Sequence, residues 1–223
     1  MPPVPAEIER VARKALEFVA AGMTLGLGTG HAAAAFLHAL AEQKLNVRGV
    51  PTSQAAANLA ASLGIPLTTL DETPTLDVDF DGADEVDPAG NLIKGYGGAL
   101  VREKIVAAAS KKFVVLVGPE KIIQRLGERG KLPVEVVPFA LPTCRRTLPT
   151  LSCDPLLRMD GDKPFVTDNG NYVLDCGIGP IADPQALEAK LLAIPGVVGT
   201  GLFLHMASVV LVGHADSVEV RTV

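Results

Sequence analysis

The sequence predicts an α/β fold: a Rossmann-like, mostly parallel sheet with a second, smaller α+β domain. Three observations predict it. Over the first half, short apolar runs such as Leu76–Phe80 and Phe113–Val117 alternate with stretches of helical period. A strand, a glycine turn and a helix start follow one another at Leu25 to His31. After Gly127 the texture changes to short strands separated by Asp160-Gly161 and Asn169-Gly170, which is hairpin chemistry. Residues 1–127, joined by about 204–223, therefore form the larger domain, and residues from about 128 to 203 the smaller one.

Composition narrows the function classes. The chain has 223 residues and is 48% hydrophobic, enough for a real core, yet only 4% aromatic with no Trp. Aromatic platforms for single-stranded nucleic acid are therefore not expected. Net charge is −5 with no basic tract, which argues against nucleic acid as a partner. The three cysteines, Cys144, Cys153 and Cys176, are odd in number and lack C-x-x-C spacing, so neither a disulfide framework nor a zinc site is expected. No apolar run approaches the ~18 residues of a membrane span, and no apolar signal core opens the chain; a cytoplasmic protein is expected.

The elements follow in order. Ala6 to Ala21 reads as an amphipathic helix with Ile8, Val11, Ala15, Phe18 and Val19 on one face; Arg10, Arg13, Lys14 and Glu17 lie off that stripe. Met23 to Leu27 is a strand. Gly28-Thr29-Gly30-His31 then opens an Ala-rich helix to about Leu40. Free N–H groups and the positive helix end suit such a turn to a phosphate. The turn also satisfies the loose G-x-G-x-x-A dinucleotide pattern, but the second strand, Asn46 to Thr52, offers no acid for a ribose diol. A lone phosphate fits better. Thr52-Ser53 begins a helix to about Leu63, where the hydroxyls either cap it or meet ligand. Leu67 to Leu70 is a third strand, and Leu76 to Phe80 a fourth that delivers Asp81 at its C-terminal end, where parallel sheets bind ligands. Ala99 to Ser110 is helical, with Val101, Ile105 and Ala108 as its apolar stripe, and Phe113 to Val117 is a buried strand. Pro119 starts a short helix. Beyond it come a strand at Val134–Phe139, a helix from Leu141 that Pro149 must kink or end, short strands at Leu156–Met159, Phe165–Thr167 and Tyr172–Cys176, a helix capped by Asp183-Pro184, and strands at Val197–Phe203 and Val209–Val212.

Most of the chemistry concentrates between Asp77 and Lys104, where five Asp, two Glu, two Lys, one Arg and five Gly fall within 28 residues. Asp77-x-Asp79-x-Asp81-Gly82 imitates the front of a calcium loop, but the twelfth position is Pro88, so calcium is rejected; no His partners exist for another metal. Asp81 and Asp84 are spaced to face one pocket from a tight loop and to exchange protons with sugar hydroxyls. Lys94 follows, then a second glycine loop, Gly95-Tyr96-Gly97-Gly98, whose N–H groups suit a developing oxyanion. Glu103 falls in the first turns of the next helix. Glu85 and Asp87 read as a solvated turn, and Arg102 and Lys104 as solvent-facing.

Gly28-Thr29-Gly30, Asp81-Gly82-Ala83-Asp84-Glu85 and the block Lys94 to Lys104 resemble the motifs of the ribose-5-phosphate isomerase, type A, family. The resemblance continues through Leu132 to Val136, Thr167 to Asn171 and Ile194 to Val198, nearly the whole chain in order. It implies an aldose–ketose isomerase acting on a small phosphorylated sugar, ribose 5-phosphate or ribulose 5-phosphate, through an enediolate, with no cofactor and no metal. It implies Glu103 as the base between C1 and C2, Asp81 supported by Asp84 in ring opening and hydroxyl proton transfer, and Lys94 with Gly95, Gly97 and Gly98 at the enediolate. Thr29, Gly30, Thr52 and Ser53, with Gly28, His31 and Lys121, complete the substrate-binding set.

One departure stands out. The family's first turn usually reads Gly-Thr-Gly-Ser-Thr, and here His31 and Ala32 replace the two hydroxyl residues. His31, at a helix N-terminus, is expected to serve as the substitute phosphate donor. The basic residue that the family's first helix offers to phosphate has Arg10, Arg13 and Lys14 as candidates. Two rival readings are a non-catalytic sugar-phosphate sensor, which would not need Asp81, Lys94 and Glu103 together, and an isomerase for another phosphorylated sugar. The resemblance further implies a homodimer or homotetramer.

Overall fold

The computed structural model describes residues 5–223. In chain order they form α1 (Ala6–Ala15), β1 (Thr24–Leu27), α2 (His31–Gln43), β2 (Arg48–Pro51), α3 (Gln54–Ser62), β3 (Val78–Gly82), β4 (Glu85–Val86), β5 (Leu92–Ile93), α4 (Leu100–Ala108), β6 (Phe113–Val117), β7 (Lys131–Val136), α5 (Leu141–Thr147), β8 (Asp154–Leu157), β9 (Met159–Asp160), β10 (Lys163–Pro164), β11 (Tyr172–Gly177), α6 (Pro184–Leu192), β12 (Val197–Thr200), β13 (Leu202–Phe203), β14 (Val209–Gly213) and β15 (Val218–Thr222). Among the described residues no helix is long and apolar enough to cross a membrane.

By contacts the chain divides into two units. The first holds residues up to Ala83, Arg102–Ile122 and Met206–Val223; the second holds Asp84–Val101 and Ile123–His205. The sequence boundaries had put residues 84–101 with the larger domain, whereas their contacts group them with the second unit.

The first unit is built on a six-stranded sheet of order β15-β14-β6-β3-β1-β2. All its pairings are parallel except β14 with β15. Strands that are buried on both faces need continuous apolar runs, and β6 and β14 supply them: every residue of Phe113–Val117 and Val209–Gly213 is buried. Helix α1 turns Val11, Ala12 and Ala15 inward; α2 contributes Phe36, Leu37 and Leu40. Phe36 stacks on Phe80 of β3 with centroids 4.1 Å apart. With no Trp available, Phe and Leu are among the largest fully buried side chains, each stabilising the fold by roughly 1.5–3 kcal/mol. The order reverses at β1, since β2 lies on one side of it and β3 on the other. That is the switch point at which open parallel sheets present their C-terminal ends to ligands.

The second unit contains a four-stranded antiparallel sheet, β12-β7-β11-β8, and a three-stranded sheet, β13-β5-β4. Its core gathers Leu132, Val134, Val136, Leu148, Leu174, Cys176, Leu191 and Ile194.

Several expected boundaries move. The first helix ends at Ala15 and continues only as a 3₁₀ turn, Leu16–Phe18. The expected strand Leu67–Leu70 reduces to a single bridge between Leu67 and Gly49. Val134–Phe139 shifts to Lys131–Val136 because Pro138 starts a 3₁₀ turn. Phe165–Thr167 is not a strand; β10 precedes it, and Val166 makes only a bridge to Tyr172. Val197–Phe203 splits at Gly201, where a side chain would strike the Lys94 carbonyl at 2.4 Å, and its halves join different sheets. The two-residue strands β4 and β5 and the C-terminal β15 were not anticipated.

Candidate active site

In the first unit, the turn after β1 meets the end of β3. Gly28 N–H donates to the Phe80 carbonyl at 3.0 Å. A Cβ on Gly28 would lie 2.3 Å from Cγ of Asp81, so only glycine allows this approach. Asp81 is buried, and its Oδ1 accepts from the backbone N–H of Thr29 (3.1 Å) and Gly82 (2.7 Å). The Thr29 hydroxyl lies 2.7 Å from that of Thr52 and donates to that of Ser53 at 2.7 Å. Thr52 in turn donates to the Leu27 carbonyl at 3.1 Å. Ser53 caps α3, its oxygen accepting from Ala56 N–H at 3.0 Å. The capping reading of Ser53 is met, and the Thr29, Thr52 and Ser53 hydroxyls gather in one cluster. Gly30 is the N-cap of α2, with φ +106° and ψ −176°, a conformation reserved for glycine. His31 follows it, exposed, as the first residue of the helix.

Glu103 lies in the first turn of α4 and is only 4% exposed. The apolar stripe assigned from sequence was one position off. Ile105 is 50% exposed, whereas Leu100, Val106 and Ala107 are buried. Residues 100, 103, 106 and 107 share one helix face by their 3–4 spacing, so Glu103 belongs to the inward face. Gly26 of β1 makes room for that face: its missing Cβ would meet Val106 Cγ1 at 2.6 Å. Lys121, half-buried, ends the 3₁₀ turn Pro119–Lys121. Of the basic residues in α1, Arg10 donates to the His214 carbonyl at 3.4 Å and Lys14 pairs with Glu17 at 2.7 Å, while Arg13 is exposed.

In the second unit, β4 and β5 form a hairpin pairing Glu85 with Ile93 and Val86 with Leu92. Carried one residue further, this register sets Asp84 across from Lys94, and Asp84 N–H donates to the Ile93 carbonyl at 2.8 Å. Lys94 is 3% exposed and its Nζ lies 5.5 Å from the Phe203 ring centroid. Its backbone N–H is fixed to Gly201 O at 2.9 Å. The glycine loop follows: Gly95 at φ +104°, Gly97 exposed, Gly98 at φ +86°, closed by Gly98 N–H to Gly95 O at 3.0 Å. Tyr96 N–H donates to Asp84 Oδ2 at 3.0 Å. The Tyr96 ring carries Lys131 Nζ over its face at 4.1 Å, and burial, with Asp84 and Glu85 nearby, pushes its phenol up to about 12.

The reading of Glu85 as solvated is corrected. It is fully buried, and its carboxylate accepts from Gly127 N–H at 2.6 Å and Arg129 N–H at 2.8 Å. Burial raises its pKa against those two hydrogen bonds. Asp87 does form a turn, accepting from Ala89 and Asn91 N–H at 2.9 and 2.8 Å. Asp77 pairs with Lys111 at 2.9 Å, which with Thr24 N–H holds its carboxyl below the usual range. Sequence reasoning also missed Arg158, whose Nη1 donates to the carbonyls of Gly95 (3.0 Å) and Tyr96 (3.1 Å).

Comparison with known proteins completes this description. The family model for ribose 5-phosphate isomerase A (phosphoriboisomerase A) matches residues 48–217. Ribose-5-phosphate isomerase A of Roseiflexus sp. (strain RS-1) is 54% identical over 216 residues, covering 94% of this chain and 93% of the relative. The Gloeobacter violaceus protein of the same name is 48% identical over 219 residues, covering 96% and 95%. Among solved structures, ribose 5-phosphate isomerase A from Methanocaldococcus jannaschii superposes with a TM-score of 0.92 at 40% identity, covering 97% of this chain and 98% of that one. A D-ribose-5-phosphate isomerase in complex with phospho-erythronic acid superposes with a TM-score of 0.95 at 37% identity, covering 99% and 100%. The chain belongs to the ribose 5-phosphate isomerase A family.

Proposed function

We propose that this chain interconverts ribose 5-phosphate and ribulose 5-phosphate, an aldose–ketose isomerisation of the non-oxidative pentose phosphate pathway. Within the family, the observation that carries the reading to this chain is Glu103, buried on the inward face of α4. A carboxylate gains nothing from apolar packing, so its place there calls for a chemical reason. Glu103 takes the proton from C2 of the open-chain aldose and returns it to C1. Meanwhile a hydroxyl proton passes from O2 to O1, and the enediolate lies between. Asp81, with Asp84 beside Lys94 in the hairpin, assists ring opening and the hydroxyl transfer. Lys94 and the N–H groups of Gly95, Gly97 and Gly98 stabilise the oxyanion. Gly28, Thr29, Gly30, Thr52 and Ser53 meet the sugar or its phosphate, with His31 and Lys121 as donors to the phosphate. The phospho-erythronic acid held by the relative supports this picture, since a phosphorylated sugar acid pairs a phosphate with a planar carboxylate, the shape of an enediolate.

The test is turnover of ribose 5-phosphate by Glu103→Gln beside wild type. Loss of the general base lowers kcat roughly 10²–10⁴-fold; equal turnover would remove Glu103 from the role.

The reading extends to a cytoplasmic homodimer or homotetramer. Phe139, at 96% exposure, and the exposed Leu156, Met159 and Val166 of the second unit support self-association. Sedimentation that gives only monomer at micromolar concentration would end that part.

A further inference from the structure

Arg158 is held in place before its side chain does anything. Its N–H donates to Val173 O at 2.9 Å, and its carbonyl accepts from Phe165 N–H at 2.9 Å. Asp175 lies two residues past Val173 on β11, the diagonal neighbour on the same sheet face. The guanidinium grips it bidentately, Nε to Oδ2 at 3.0 Å and Nη2 to Oδ1 at 2.5 Å. The Phe165 ring lies 5.6 Å from the Arg158 Cζ. With Arg158 and Asp175 only 11% and 15% exposed, little water competes. The remaining terminal nitrogen, Nη1, is aimed at the carbonyls of Gly95 and Tyr96.

A trans peptide is a rigid plate whose C=O and N–H point in opposite directions. The Gly95 carbonyl and the Tyr96 N–H belong to one such plate. Arg158 binds its carbonyl edge at 3.0 Å, and its N–H edge donates to Asp84 Oδ2 at 3.0 Å. The second bond, to the Tyr96 carbonyl, holds the following peptide of the loop as well. Phe165 closes the far side of the loop, since a Cβ on Gly98 would lie 2.4 Å from the ring.

We propose that Arg158, anchored by Asp175, is a positioning residue that orients Asp84 through the Gly95–Tyr96 peptide. It touches no substrate. Its guanidinium polarises the plate from one edge, which strengthens the hydrogen bond that the other edge gives to the carboxylate. Lysine is a poor replacement, because an ammonium cannot offer a planar fork to Asp175 and still reach two carbonyls. The proposal rests on the reading of Asp84 as a working group of the active site.

The test is a double-mutant cycle in kcat between Arg158→Leu and Asp84→Asn, with KM and thermal unfolding recorded for each variant. Arg158→Leu should lower kcat roughly 10- to 100-fold with KM nearly unchanged, the size expected of lost orientation. In the Asp84→Asn background the same substitution should cost less than about threefold, because its target is already gone. Asp175→Asn should copy the Arg158→Leu profile in weaker form. If Arg158→Leu does not fold, Arg158→Lys carries the same cycle. Wild-type kcat in the folded Arg158 variant, or losses that multiply in the double variant, would reduce Arg158 to a structural part while leaving Asp84 in the site. Wild-type turnover by Asp84→Asn would instead remove Asp84 itself, and the role of Arg158 with it.

Discussion

Two glycine loops open helices in this molecule, and they are built in different ways. The loop Gly28 to His31 in the first unit rests on Asp81, which accepts from Thr29 N–H, and on a hydroxyl cluster of Thr29, Thr52 and Ser53, while a Cβ on Gly30 would meet nothing within 4 Å. The loop Lys94 to Gly98 in the second unit is clamped on its carbonyls by Arg158 and packed at Gly98 against Phe165. An open loop suits a group that arrives and leaves with the substrate, as a phosphate does. A clamped loop suits donors that must already be aimed when charge develops.

The comparison can be broken in several places. The largest effect is expected at Lys94: Lys94→Ala should lower kcat about 10²–10³-fold, roughly 2.7–4 kcal/mol of transition-state stabilisation. A change confined to KM would move Lys94 from chemistry to binding. Next come the glycines. Gly98→Ala must accept both φ +86° and the Phe165 ring at 2.4 Å, whereas Gly30→Ala must accept φ +106° alone. Urea unfolding should show losses of about 2–4 kcal/mol for the first and about 1–3 kcal/mol for the second. Equal losses would mean that the ring yields freely and the clamp is loose. A smaller effect is expected at His31. His31→Ala should raise KM about 3- to 10-fold with kcat unchanged, as for one lost hydrogen bond of ordinary net strength; an unchanged KM would leave His31 facing solvent.

The smallest effect concerns neither loop and serves as a control. Lys111, with Thr24 N–H, depresses the Asp77 carboxyl. A depressed acid contributes stability above its unfolded pKa and loses it as pH falls through the folded one. Asp77→Asn should therefore be less stable than wild type at pH 7 by under about 1 kcal/mol, since the pair is partly exposed. The gap should narrow as pH falls below the ordinary carboxylate range and through the depressed pKa, and a gap that does not narrow would point to packing instead.

The contrast between the loops also explains what the sequence disclosed. The first loop was legible because strand, glycine, N-cap and helix follow one another within a few residues. Asp81 was legible because β3 delivers it at a strand end. The clamp was not, because Arg158 and Asp175 meet only through the diagonal of an antiparallel pair that Asp-Gly and Asn-Gly turns suggest without registering. The hairpin β4–β5 was missed because two-residue strands carry no alternation to detect. Glu103 misled the stripe of α4, since a periodicity count has no way to place a charged residue on the inward face. Leu67–Leu70 looked like a strand by composition, but only Leu67 bridges to β2, at Gly49.

The division of the chain has a consequence for how the protein is made. The first unit is interrupted twice, and β14 belongs to its last segment although it lies beside β6 in the sheet. A ribosome therefore releases Phe113–Val117 long before Val209 exists to pair with it, and the whole stretch from Ile123 to His205 emerges in between. Until Val209–Gly213 has been made, an apolar strand edge stands uncovered on the nascent chain, the kind of edge that recruits other chains. A chain arrested after His205 should accumulate in the insoluble fraction or on chaperones; a soluble, compact product would show that α1 and its neighbours protect β6 without β14.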